Sequence, residues 1–257
     1  MAWASFPYPD EAYRYTVSGL HKAWRRLHAG DAESWPDNPA VTAAWIAFHA
    51  GRFEDAQAHG LEAGLAGYAV ANKAACIHAV YLERSEAKKS ARLLEVVERC
   101  EQQRARQPSD PAGFYWYAYA LGRHAQAASI VKALAQGIGG KVRTSLETAL
   151  ALAPRHADAH TALGVYHAEV IDKVGTLLGG LSHGASRDEA IRHFDQAIAI
   201  HPGSVIARVE YASALVMLDG RKGARAAIAL YEEAAAMRPH DAMERLDVER
   251  ARQALEE

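Results

Sequence analysis

The chain has 257 residues, half of them hydrophobic, and its charges nearly cancel at a formal net charge of -2. That length can bury a substantial core, and the near-neutral balance argues against a global field drawing in nucleic acid or an anionic membrane. Two cysteines, Cys76 and Cys100, are too few for a disulfide framework, so the expected setting is reducing and cytoplasmic.

The opening residues Met1 to Pro7 hold neither a basic segment nor an apolar run, so no signal peptide is expected. No run of about 18 uninterrupted apolar residues follows, so no membrane span is expected either. A helix is predicted over 10–29, with Tyr13, Val17, Leu20, Trp24 and Leu27 in helical register to cap the first repeat. The breaker Ser34-Trp35-Pro36-Asp37-Asn38-Pro39 separates it from helices 40–50 and 54–66. Helices over 70–83 and 86–106 follow, and Ser109-Asp110-Pro111 starts another over 111–135. Glycine-rich loops are predicted at Gln136 to Lys141 and at Gly175 to Gly184, bracketing helices 141–153 and 157–175. Helices 187–200, 204–218, 223–237 and 241–255 complete the chain, the last with Glu244, Arg245, Asp247, Glu249, Arg250 and Arg252 for a solvated outer face. No segment alternates with period two, so the expected fold is all-α.

The helical segments repeat. Four amphipathic runs end in proline, at Pro108, Pro154, Pro202 and Pro239, with steps of about 46, 48 and 37 residues. The runs Ser145 to Pro154, Glu189 to Pro202 and Ala227 to Pro239 share small and large apolar residues at three- and four-residue spacing. Alanine lets a neighbouring helix approach, Phe194 or Tyr231 fills the gap beside it, and proline stops the helix for want of an N–H.

These runs resemble the second helix of a tetratricopeptide unit. Ala159 to His167, with Leu163-Gly164, resembles the first helix, and Ala50-Gly51-Arg52-Phe53-Glu54-Asp55-Ala56 resembles the turn between the two. Steps longer than the family's roughly 34 residues imply insertions, which fall at the two glycine-rich segments. Long-insertion units of this kind are similar to the T component of tripartite periplasmic-type (TRAP) transporters and to the regulator of microtubule dynamics family, above all from His160 to Pro202. The resemblance implies a right-handed α-solenoid of degenerate helical hairpins, a groove, and a protein or small-molecule partner. It carries over no catalytic residue. The expected organisation is one repeat domain over 1–257, with a capping helix and linker in 1–39, repeats in 40–239 and a capping helix in 240–257.

Four motifs bear on chemistry. Gly180-Leu181-Ser182-His183-Gly184 matches the G-x-S-x-G nucleophile elbow, which needs a strand before it; a helix is predicted there, so a flexible loop is the better reading. His156, His160 and His167 lie on one helical stripe, but His160 and His167 fall at packing positions, and no metal or cofactor is expected. Gly137-Ile138-Gly139-Gly140-Lys141 lacks P-loop spacing, with Val142 where Ser or Thr belongs, and reads as a hinge. Arg221-Lys222-Gly223-Ala224-Arg225 reads as a solvated basic turn.

The function expected is therefore a non-catalytic scaffold that binds a protein or peptide in a concave groove. Alignment to the tetratricopeptide first helix puts Trp45, Phe48 and His49 in that groove. Tyr115, Tyr119 and Arg123 come next, then Thr161, Val165 and Glu169, and finally Arg208. One alternative is a binding component for a hydrophobic small ligand beside a transporter, with Val174 to Leu178 lining a cavity. A remote one is a serine hydrolase through Ser182. The inserted segments could equally join copies of the chain into a homo-oligomer.

Overall fold

The computed structural model describes residues 3–128 and 130–256, and every regular element among them is helical. The protein is an all-α solenoid of tetratricopeptide-like hairpins. Its contacts group into two compact units, one of residues 1–28, 33–128 and 240–243, the other of 29–32, 129–239 and 244–257.

In the first unit an irregular N-terminal segment leads through a 3-10 turn, Glu11–Tyr13, into α1 (Val17–Leu27). Then come α2 (Pro39–His49), α3 (Phe53–Glu62), α4 (Tyr68–Tyr81), α5 (Glu86–Arg106) and α6 (Pro111–Ala128), each packed on its sequence neighbour. The starts are written locally. Thr16, Asn38, Ser85 and Asp110 each accept a backbone N–H of the first turn, and Pro39 and Pro111 stand at the first helical position, where no N–H is needed.

The predicted helix 10–29 is shorter than its apolar pattern suggests. Residues 3–10 form no regular element and bend at Pro7 and Tyr8, and the α-helix begins only at Val17, which is exposed, while Leu20 and Trp24 are buried. The Thr16 cap decides the boundary, its hydroxyl taking the Gly19 N–H at 3.1 Å.

The second unit holds α7 (Ile130–Ala135), α8 (Ile138–Leu152), α9 (Ala157–His183), α10 (Arg187–Ile200), α11 (Val205–Asp219), α12 (Ala224–Ala236) and the body of α13 (Ala242–Glu256). The predicted helix 111–135 crosses residue 129, which lies outside the described residues. Ser186 caps α10, its hydroxyl accepting the Glu189 N–H at 3.1 Å, while its own N–H goes to His167 Nδ1. The Leu-Gly signature has a packing cause. A Cβ on Gly164 would stand 2.7 Å from the ring of Phe194, so only glycine lets α9 and α10 meet at this point. Val205, Val209, Ala234, Val248 and Ala251 form the apolar cluster under α13, while Arg252 stays exposed.

The second glycine-rich segment is not a loop. α9 runs on to His183, interrupted only at Gly175, whose φ of 80° and ψ of 160° suit glycine alone. Likewise Ile138 to Lys141 form the first turn of α8. A helix rich in glycine persists here because Val170, Val174 and Ala185 pack with Leu134 and Tyr166, and this tertiary contact outweighs weak local propensity.

Candidate functional site

The predicted groove residues separate into buried and accessible groups. Trp45, Phe48 and His49 are interior, none more than 2% exposed. This corrects the expectation that they line a groove. Helix α2 is apolar on almost every side, and α1 lays Trp24 across it, with the Trp24 and Trp45 rings 5.8 Å apart. His49 instead pairs with Asp241, Nδ1 to Oδ2 at 2.7 Å. Tyr115 is also buried, edge-on to Trp116 at 4.8 Å, and Thr161 is buried with its hydroxyl donated to the Ala157 carbonyl.

Five predicted residues keep partial exposure. In the first unit Tyr119 lies under the Arg123 guanidinium at 5.2 Å, and Arg123 also donates to Gln126. In the second, Val165 rests on the Ala168–Phe194–Ala214 cluster and Glu169 is half-buried beyond it. Arg208 is spanned between Glu233 and the Ser204 carbonyl, both at 3.0 Å.

A contact that the sequence did not announce involves the N-terminal segment. Trp3 lies against the His78 ring at 4.4 Å and under the Arg92 guanidinium at 4.0 Å, and its N–H donates to Glu54. His78 donates its Nε2 proton to the Ala4 carbonyl at 3.2 Å and accepts from Arg92 on Nδ1 at 2.7 Å. Phe6 then packs edge-on to Phe53. Burial, seconded by the Arg92 charge, pushes the His78 pKa down to about 4, which keeps the imidazole neutral as both hydrogen bonds require. The N-terminal segment is thus held on the surface of α3, α4 and α5 by two hydrogen bonds between its backbone and side chains, the Trp3 backbone N–H to Glu54 and His78 to the Ala4 carbonyl, and by two aromatic anchors.

In the second unit α9 and α10 bring histidines together. His160 and His193 meet Nδ1 to Nδ1 at 2.9 Å, and His167 stacks on His193 with rings 15° apart. His167, Glu189 and His193 offer ligand atoms all within 4.8 Å of one another. Burial lowers the pKa of His167 and of His193 to about 4 and also lowers that of His160, with nearby arginines adding to the effect. Of the predicted stripe, His160 and His167 are buried as packing residues should be, while His156 caps α9 by accepting the Ala159 N–H. The missed members are His193 and Glu189, and the Glu189-x-x-x-His193 spacing, one helical turn, was the signal available.

The other motifs resolve simply. Ser182 lies inside α9 and is exposed, with no strand before it among the described residues, so the strained elbow is not built. Leu177, Leu178 and Leu181 point outward, 74%, 58% and 80% exposed, rather than lining a cavity. Arg221 and Lys222 are exposed in a 3-10 turn. No described helix is long and apolar enough to cross a membrane.

Paired helices closed by Leu-Gly and alanine–aromatic packing define a tetratricopeptide-like repeat protein. The fold is similar to that in the crystal structure of TTC0263, a thermophilic TPR protein of Thermus thermophilus. The TM-score is 0.57 at 18% identity, covering 83% of this chain and 97% of that one. The family model described as regulator of microtubule dynamics protein 1-3 matches residues 68–257, and the chain belongs to that family. No curated protein matches it in sequence.

Proposed function

We propose that this protein is a non-catalytic scaffold that recognises an extended protein segment on its repeat surface. The observation that carries the reading is the N-terminal segment itself. Trp3, Ala4 and Phe6 are held on α3, α4 and α5 by contacts that a separate peptide could make equally well. The repeat fold and the family membership support the same class of function. Tyr119 and Arg123 in the first unit, and Val165, Glu169 and Arg208 in the second, are the groove residues accessible for such contact. Tyr119 and Arg123 are the pair expected to anchor a partner, since a stacked aromatic and guanidinium remove much area from water at little cost in order. A cytoplasmic setting is supported by Cys76 and Cys100, both buried and unpaired.

Selection of phage-displayed peptides on the full chain, followed by fluorescence anisotropy, tests this reading. The double variant Tyr119→Ala/Arg123→Ala is expected to weaken the selected peptides by about tenfold or more. Peptides that bind wild type and variant equally would remove this surface from consideration.

A further inference from the structure

We propose that His167, Glu189 and His193 form a binding site for a divalent transition-metal ion of the zinc class. Two imidazoles and a carboxylate are a donor set that zinc accepts, with a fourth position left for water. Glu189 and His193 stand one turn apart on α10, Oε2 and Nε2 separated by 3.9 Å, and His167 enters from α9. Ligand atoms on a tetrahedral zinc ion lie roughly 3.4 Å apart, so closure draws together atoms now within 4.8 Å and turns the stacked His167 and His193 rings until their in-plane lone pairs converge. Glu189 is partly exposed, while His167 and His193 are buried.

The surroundings are arranged as a ligand's would be. Arg192 donates to His193 Nε2 at 3.2 Å, so this nitrogen carries the lone pair and Nδ1 carries the proton. That proton goes to His160 Nδ1, and His160 in turn hydrogen-bonds the Pro154 carbonyl. A hydrogen-bonded chain behind the ring thus fixes its tautomer and presents Nε2 outward, as partners behind metal-bound histidines do.

A cation already occupies this place. The Arg192 guanidinium bonds Glu189 through Nε and a terminal nitrogen, and the same terminal nitrogen contacts His193. Its side chain is more than half exposed and can swing into water, leaving both acceptors to a more compact and doubly charged ion. Besides the Arg192 bonds, an ion held through His167 Nδ1 would displace the Ser186 N–H from that nitrogen, a long contact of 3.3 Å. A bound ion would clamp α9 to α10 beside the Gly164–Phe194 contact.

Titration of the full chain with Co2+ and Zn2+, read by the visible d–d absorption of low-coordinate cobalt and by calorimetry, tests the proposal. The expected result is one ion per chain, a thermal midpoint that rises with Zn2+, and loss of the cobalt band in His193→Ala. Glu189→Gln is expected to bind about tenfold or more weakly. Arg192→Gln is expected to bind several-fold more tightly, because the competing cation is gone. Glu189 and Arg192 are surface-accessible, so these two variants decide the matter even if His193→Ala does not fold. No stoichiometric band in wild type or Arg192→Gln, or an undiminished band in Glu189→Gln, would overturn it.

Discussion

The contact between Gly164 and Phe194 gives the sharpest test of why these helices pair. Substituting Ala for Gly164 adds about 1 kcal/mol of helix propensity in a helix interior. It also puts a Cβ 2.7 to 2.8 Å from three ring atoms of Phe194. The ring cannot slide away, because Tyr211 stacks on its other face at 4.8 Å and 6° and Phe194 is fully buried. Overpacking of this kind costs about 1–3 kcal/mol, and the blocked ring puts the cost toward the upper end. Gly164→Ala is therefore expected to destabilise by a net ~1–2 kcal/mol, or a thermal midpoint lower by about 2–8 °C for a chain of this size. In a Phe194→Leu background the same substitution should be neutral or stabilising by up to ~1 kcal/mol, giving a coupling energy near ~2 kcal/mol. Urea denaturation followed by far-ultraviolet circular dichroism measures all four corners of the cycle. If Gly164→Ala alone raises stability, propensity has won and the close approach is not what requires glycine.

Acid should weaken the first unit through His78, whose folded pKa of about 4 lies below its ordinary 6.5. The folded state binds fewer protons, so this stability is complete above about pH 6.5 and is lost as pH falls toward 4, by about 1 kcal/mol between pH 7 and 5 after allowance for solvent access. The groups facing the ring are Arg92, Glu83 and Glu54, and equilibrium unfolding of His78→Gln should show a flatter pH dependence in that range. Trp3→Ala should expose residues 3–16 to limited proteolysis while moving the global thermal midpoint little; unchanged cleavage would mean that the His78 and Arg92 contacts do not hold the segment. Gly175→Ala should cost about 1–3 kcal/mol locally, read as faster hydrogen exchange over 172–184. Ser182→Ala should change stability by less than about 0.5 kcal/mol, and a serine-reactive phosphonate should leave Ser182 unlabelled.

Much of the helix order was legible because its causes are local. Prolines at 108, 154, 202 and 239 end runs whose periodicity one stretch of chain carries by itself, and Asp110, His156 and Ser204 cap the helices that follow the first three. The glycine-rich tip was misread as a loop because propensity counts Gly179 and Gly180 as breakers, while the packing of Val170, Val174 and Ala185 against Leu134 and Tyr166 is invisible along the chain. Three of the predicted groove residues are covered for a related reason. Trp45, Phe48 and His49 occupy the register of a first helix, but α1 covers that helix, and nothing in α2 encodes what lies over it.

Periodicity placed His156, His160 and His167 on one stripe of α9, and two of them do share a buried face. The chemistry arises only where that stripe meets α10, because His193 and Glu189 supply the remaining donors, and His160, read as a packing residue, stands behind His193. Spacing within one helix fixes which residues share a face, whereas a site between helices also needs their pairing register. Here the Ser186 cap of α10 and the glycine at 164 set that register, and neither residue is one of the proposed ligands.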